Sequence, residues 1–281
     1  MSPASRTLDD LPPLKATLAA AGITAKKSFG QHFLLDLNIT RKIARLAGIA
    51  PGETVIEVGP GPGGLTRALL EVAARVVAVE KDARFVPLLE DLATHAPGRL
   101  EVLSADALDA NVAATLPAGA SIVANLPYNV GTPLLIGWLT GPLRPRSMTL
   151  MFQKEVAERI VAAPGSKTYG RLSVLAQALA DVRIVMDLPA RAFTPPPKVA
   201  SAVVQLDPRA DRPDDEIVER LQAVTAAAFG QRRKMLRSSL KPLGGETLCA
   251  AVGLDASLRA EEVTVAQFLA MAASPQLSSR P

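Results

Sequence analysis

From Thr54 to Ser104 short β-type runs alternate with helical runs, and no other feature limits the fold as much. Thr54–Val58, Arg75–Glu80 and Leu100–Ser104 have strand length and aliphatic character, and Leu65–Ala73 and Asp82–Thr94 between them carry helical spacing. A strand, a helix and a second strand in succession require a crossover, so the strands lie parallel under helices. Ser121–Ala124, Met148–Phe152, Val182–Asp187 and Ser201–Leu206 read as further strands. Asp36–Ala47, Lys154–Val161 and Arg171–Ala180 read as helices. The expected architecture is an α/β sheet with helices on both faces. Beyond Asp207 a Pro/Asp/Arg-rich linker, Asp207–Asp215, leads only to helical runs, over Glu216–Phe229, Arg232–Leu240, Glu246–Val252 and Val265–Ala272. The division this predicts is a loosely attached extension over residues 1–25, a sheet domain over 26–207 and a small all-helical domain over 208–281.

Composition excludes several classes. One cysteine, Cys249, rules out an internal disulfide, and with two histidines, His32 and His95, it argues against a Cys/His zinc site. No metal is expected. The cysteine count points to the cytoplasm, and residues 1–25, with Asp9, Asp10 and three prolines, have no apolar core like a signal peptide's. Residues 110–143 contain no Asp, Glu, Lys or Arg, but Pro117, Pro127, Pro133 and Pro142 interrupt them. They read as buried strand and site loop, not as a membrane span. A net charge of +4 permits a nucleic-acid partner without requiring one.

Between the first strand and its helix runs Glu57-Val58-Gly59-Pro60-Gly61-Pro62-Gly63-Gly64. Gly59, Gly61 and Gly64 satisfy a dinucleotide-type spacing, and Glu80 at the end of the next strand can take ribose hydroxyls. Glu57 shifts the choice of ligand. A carboxylate two residues before the first glycine repels a pyrophosphate and favours a ligand bearing an ammonium and a sulfonium, as S-adenosylmethionine does. Asp106, after the third strand, is placed to accept from the adenine amine. A ligand-free glycine turn is the bland alternative.

Asn125-Leu126-Pro127-Tyr128 suits the holding of an exocyclic amine on a flat base. The Asn125 side chain and the carbonyl of Leu126 or Pro127 can accept the amine's hydrogens, freeing the nitrogen lone pair, while Tyr128 stacks on the ring. Rate would come from positioning and transition-state hydrogen bonds, without a side-chain base. Taken alone, the tetrad could be no more than a Pro turn ending a buried strand.

Seven ordered segments carry a resemblance: Lys27–Leu34, Glu57–Gly64, Asn125–Asn129, Gln153–Val156, Tyr169–Ser173, Phe193–Val199 and Gln231–Lys234. Over nearly its whole length the chain resembles the KsgA family of ribosomal RNA adenine dimethyltransferases. The resemblance implies a Rossmann-like methyltransferase sheet with a small helical C-terminal domain. It also implies S-adenosylmethionine-dependent conversion of two adjacent adenosines near the 3′ end of 16S rRNA to N6,N6-dimethyladenosine. The substrate would be an immature small ribosomal subunit, and the enzyme a monomer. By similarity His32, Leu34, Gly59, Gly61, Glu57, Glu80, Asp106 and Asn125 hold the cofactor, and Tyr128 and Phe193 flank a flipped adenine. The family often has Asn where this chain has His32. Phe29 and Phe33 are spaced for one helical face and serve equally well as core; Phe193 could be an apolar plug before its Pro run.

Arg232, Arg233, Lys234, Arg237 and Lys241 form an acid-free basic run, and on one helix Arg233 and Arg237 would share a face suited to phosphates. Lys26, Lys27 and Lys198 could extend it. A solvated face is the alternative for any such run. Competing functions are an erythromycin-resistance (Erm) type large-subunit dimethyltransferase, a non-catalytic assembly factor of the same fold, and a nicotinamide-dependent dehydrogenase.

Overall fold

The computed structural model describes residues 7–25, 31–231 and 233–277. Lys26, Lys27, Phe29 and Arg232 lie outside the described residues. In chain order the elements are α1 (Leu14–Ala20), β1 (Phe33–Leu34), α2 (Leu37–Leu46), β2 (Thr54–Val58), α3 (Gly64–Val72), β3 (Arg75–Glu80), α4 (Val86–Thr94), β4 (Leu100–Ser104) and α5 (Ala110–Thr115). There follow β5 (Ser121–Asn125), α6 (Gly131–Thr140), β6 (Met148–Gln153), α7 (Lys154–Ile160), α8 (Arg171–Leu179), β7 (Ala180–Leu188), β8 (Phe193–Thr194) and β9 (Ser201–Pro208). The chain ends with α9 (Asp215–Gly230), α10 (Leu236–Ser239), α11 (Gly245–Ala251) and α12 (Val265–Ala273). Two compact units emerge: residues up to Ala157 with Ile184–Gln205, and Glu158–Arg183 with residues from Leu206 onward. They do not follow the linear division expected at residue 207, because α8 groups with the C-terminal helices.

Seven strands form one sheet in the order β4-β3-β2-β5-β6-β9-β7. The pairings β4–β3, β3–β2, β2–β5 and β5–β6 are parallel. Val55, Ile56, Val76, Ile122 and Val123 are fully buried, as expected of strands covered on both faces. The chain winds outward from β2 to β4, then returns to place β5 on the other side of β2. That reversal opens a crevice at the strands' carboxyl ends, where α/β sheets bind ligands. At the opposite ends Glu53 takes hydrogen bonds from Arg146, Ser121 and the Ala50 amide, tying the starts of β2 and β5 together.

In the second unit Asp214 caps α9, and Thr264 with Gln267 forms a capping box on α12. Tyr169 is buried, donates to Val263 O at 2.9 Å and meets Phe229 edge-on, and Phe229 in turn packs on Phe268.

Four expectations need correction. The first is residues 110–143, which hold two helices, α5 and α6, rather than strand and loop alone. Pro133 sits in the first turn of α6, where a missing N–H costs no helical bond, and the helix is apolar because Leu134, Leu135, Trp138 and Leu139 are all buried. The second is the start of α4, at Val86 instead of Asp82, because the Asp82 carboxylate binds the Arg84 amide and guanidinium in a turn.

The third correction concerns the basic run, which is not one helix. α9 stops at Gly230, Met235 pairs with Arg259, and the Leu236 and Arg237 amides donate to Leu258 and Ala256. Arg233 therefore lies outside α10, and the shared-face argument fails. The fourth is the N-terminal segment, which over residues 7–25 is not loose. Leu14 and Leu18, one helical turn apart, are buried, and Arg67 and Arg84 donate to Pro12 O and Thr24 O.

Leu14→Ala is expected to cost about 2–5 kcal/mol in urea unfolding, as for other buried leucines. A cost below roughly 0.5 kcal/mol would return the segment to a dispensable tail.

Candidate active site

Parallel pairing in register brings the site together. Val58 lies opposite Val79, so Glu57 at the end of β2 and Glu80 at the end of β3 are near neighbours, and β5 delivers Asn125 on the other flank of β2. A cleft opens there. Of the expected cofactor residues, Glu57, Gly59, Gly61, Glu80, His32, Leu34 and Asn125 line it, with Leu126, Pro127 and Tyr128 beside them.

The glycines have separate reasons. Gly61 adopts φ +53° and donates its amide to Glu80 Oε2 at 2.9 Å, tying the loop to β3. A Cβ on Gly64 would stand 2.6 Å from Leu34 O, so the third glycine serves the packing of α3 against β1. Gly59 faces the tetrad, 3.5 Å from the Pro127 ring at its would-be Cβ.

Glu57 is 1% exposed, and its Oε2 has no hydrogen-bond partner among the described residues. Burial pushes its carboxyl up to about 8; Thr66 works against the shift and the Glu80 charge adds to it. Glu80 is also raised, chiefly by burial, with the Asp82 and Gly61 amides opposing. Its oxygens accept from Gly61 N and Asp82 N, leaving a lone pair on each for a ribose. Two buried carboxyl groups, one with an unsatisfied oxygen, favour a ligand that brings positive charge, beside which Glu57 can ionise, over a pyrophosphate. The donor set therefore fits S-adenosylmethionine.

Asn125 Nδ2 donates to His32 O at 3.4 Å. Pro127 O accepts from the amides of Val130 and Gly131, which start α6. Tyr128 shares a 2.7 Å hydrogen bond with Ser201 Oγ and stacks on His32. Burial raises the Tyr128 hydroxyl's pKa, with Ser201 opposing, so the ring stays neutral.

Two expected residues stand elsewhere. Asp106 does not line the cleft: Lys81 Nζ at 2.6 Å and the Leu108 amide at 3.0 Å engage its carboxylate, and Lys81 holds its pKa down. Phe193 is 3% exposed within the hydrophobic core, paired with Leu34 between β8 and β1. Its packing supports the plug. Sequence reasoning passed over Phe85, which lines the cleft and meets Phe33 edge-on at 5.6 Å. Phe33 itself lies on a strand, not on the helical face expected from its spacing. An aromatic five residues past the ribose acid was the available signal for Phe85. Among the described residues no group of three His, Cys, Asp or Glu could hold a metal, and no helix is long and apolar enough to cross a membrane.

In the second unit Arg233, Lys234, Arg237 and Lys241 are all exposed. Arg237 and Lys241 border an open depression with Ser238 and Glu246.

The ribosomal RNA adenine dimethylase family matches residues 22–276. The chain is 69% identical over 268 residues to a protein named ribosomal RNA small subunit methyltransferase A from Phenylobacterium zucineum, covering 95% of this chain and 93% of that one. A protein of the same name from Caulobacter vibrioides is 66% identical over 248 residues, 88% and 96% of the two chains. Among solved structures, a dimethyladenosine transferase from Plasmodium falciparum superposes with TM-score 0.73 at 25% identity, covering 85% of this chain and 96% of that one. The 23S rRNA methyltransferase ErmE gives 0.65 at 27%, covering 85% and 98%.

Glu57 yields a pH prediction. The folded chain keeps the Glu57 proton between about pH 4.5 and about pH 8, where the unfolded chain has lost it, so stability falls as pH rises through that window. Glu57→Gln should remove that part of the slope, at most roughly 1.4 kcal/mol per pH unit. Urea melts of both proteins across the window test this; parallel slopes would contradict it.

Proposed function

The chain belongs to the ribosomal RNA adenine dimethylase family, and on that footing we propose how its cleft acts and on what. It is an rRNA adenine dimethyltransferase with S-adenosylmethionine as methyl donor. The observation that carries the reading is the unpartnered Glu57 oxygen in a glycine-walled cleft that also holds the Asn125–Tyr128 tetrad.

The substrate we assign is the pair of adjacent adenosines near the 3′ end of 16S rRNA, in an immature small subunit, with a monomer acting in the cytoplasm. Identity of 69% to a small-subunit methyltransferase favours this over the Erm-type alternative, whose fold is shared. The intact acids Glu57 and Glu80 favour catalysis over a purely structural assembly role.

When bound, the donor supplies a methyl group carried on a cationic sulfur. Glu57 balances positive charge, and Glu80, braced by two loop amides, takes ribose hydroxyls. Asp106 would read the adenine amine only after exchanging Lys81 for it. On the acceptor side, Pro127 O is engaged by α6, which leaves Asn125 Oδ1 and Leu126 O to receive the target amine's two hydrogens. Tyr128, fixed through its hydroxyl by Ser201, offers a ring face to the flipped base. Arg233, Lys234 and Arg237 would bind phosphates and set orientation more than sequence choice.

Asn125→Ala should lower methyl transfer to unmethylated small subunits by about 10²–10³-fold with an unchanged melting temperature. Near-normal transfer would refute the role. Replacing Arg233 and Arg237 with Ala should weaken binding to small subunits and reduce the log–log salt slope by about two. A slope equal to that of the wild type would make these arginines a solvated face.

A further inference from the structure

We infer that Arg84 is a positioning residue for the methyl donor, holding Glu80 in place through Asp82 and fixing the cleft wall beside it. This rests on the function proposed above, in which Glu80 takes the donor's ribose hydroxyls.

The Asp82 amide donates to Glu80 Oε1 at 2.7 Å. That bond directs the carboxylate only while the turn keeps Asp82 still, and Arg84 supplies the hold. Its Nε donates to Asp82 Oδ1 at 2.9 Å and its Nη2 to Oδ2, a fork on both oxygens, while its own amide meets Oδ1 at 3.2 Å. The two side chains are 27% and 11% exposed, so water and salt screen the pair less than they would a surface pair. The guanidinium also holds the Asp82 carboxyl down to about 2 and balances a charge that works against ionisation of Glu80.

The same guanidinium has further contacts. Nη1 donates to Thr24 O and Nη2 to Gln31 Oε1, each at 3.1 Å, and Gln31 Nε2 closes the ring by donating to Asp82 Oδ2 at 2.9 Å. Arg84 Cζ stands 5.4 Å from the centre of the Phe85 ring. Gln31, Glu80 and Phe85 all line the donor cleft and Arg84 does not, so Arg84 acts through them. A planar group with several fixed N–H donors can meet these oxygens at once, which a lysine ammonium cannot do. Loss of the guanidinium should free Asp82 and the Glu80 carboxylate together, and the cost should fall on ribose recognition.

The test compares wild type with Arg84→Met, which keeps the stem, and Arg84→Lys, which keeps the charge without the fork. Calorimetry reads the Kd of S-adenosylmethionine and of its 2′-deoxy analogue for each protein. Wild type should bind the analogue about tenfold more weakly, as expected for losing a hydrogen bond to a charged group. In Arg84→Met the S-adenosylmethionine Kd should weaken by about tenfold and the ratio between the two donors should fall to within about threefold of unity. Arg84→Lys should show the same change to a smaller degree. A merely structural role would weaken both donors alike, so a wild-type ratio in both variants overturns the inference, as does an unchanged S-adenosylmethionine Kd. If wild type binds neither donor, the proposed function fails and takes this inference with it.

Discussion

Two carboxyl groups held out of water at the ends of adjacent parallel strands govern this site. Glu80 can be buried because Gly61 and Asp82 donate amides to it, and those bonds also shape the glycine loop. Glu57 has no such relief for Oε2. Glu57 lines the cleft, so the unfilled requirement is met from there. A ligand that brings positive charge and no phosphate satisfies it. The sheet order then matters chemically, since only a strand placed beside β2 could bring Asn125 against the same loop.

The tetrad is organised by contacts distant in sequence. Ser201 fixes the Tyr128 hydroxyl, and His32 covers its ring and engages the Asn125 amide. Behind this wall α1 packs through Leu18 with Phe33, Phe85 and Leu89, two of which face the cleft. The N-terminal segment therefore supports the donor side.

Local patterns made much of this legible. The strands β2, β3 and β4 lie at the residues their aliphatic runs predicted, and the loop and tetrad sit at strand ends where short spacings define them. What escaped depends on tertiary pairing. The basic run has helical composition, but Met235 to Arg237 spend their backbone groups on residues 256–259 and the helix breaks. α6 hid behind its glycines and proline, since an all-apolar helix has no amphipathic period. Phe193 belongs to a family motif, yet its burial beside Leu34 is fixed by a strand pair of two residues that no periodicity reveals. Asp106 follows its strand as expected, and only the fold showed Lys81 in its way.

The central claim is that acid-flanked glycines select a cation-bearing adenosyl ligand. Calorimetric titration of the full chain with S-adenosylmethionine and, separately, with NAD tests it most directly. S-adenosylmethionine should bind with release of a proton, seen as a buffer-dependent heat, because Glu57 must ionise to meet the ligand's ammonium; NAD should give no binding. Saturable NAD binding, with none for S-adenosylmethionine, would contradict the assignment.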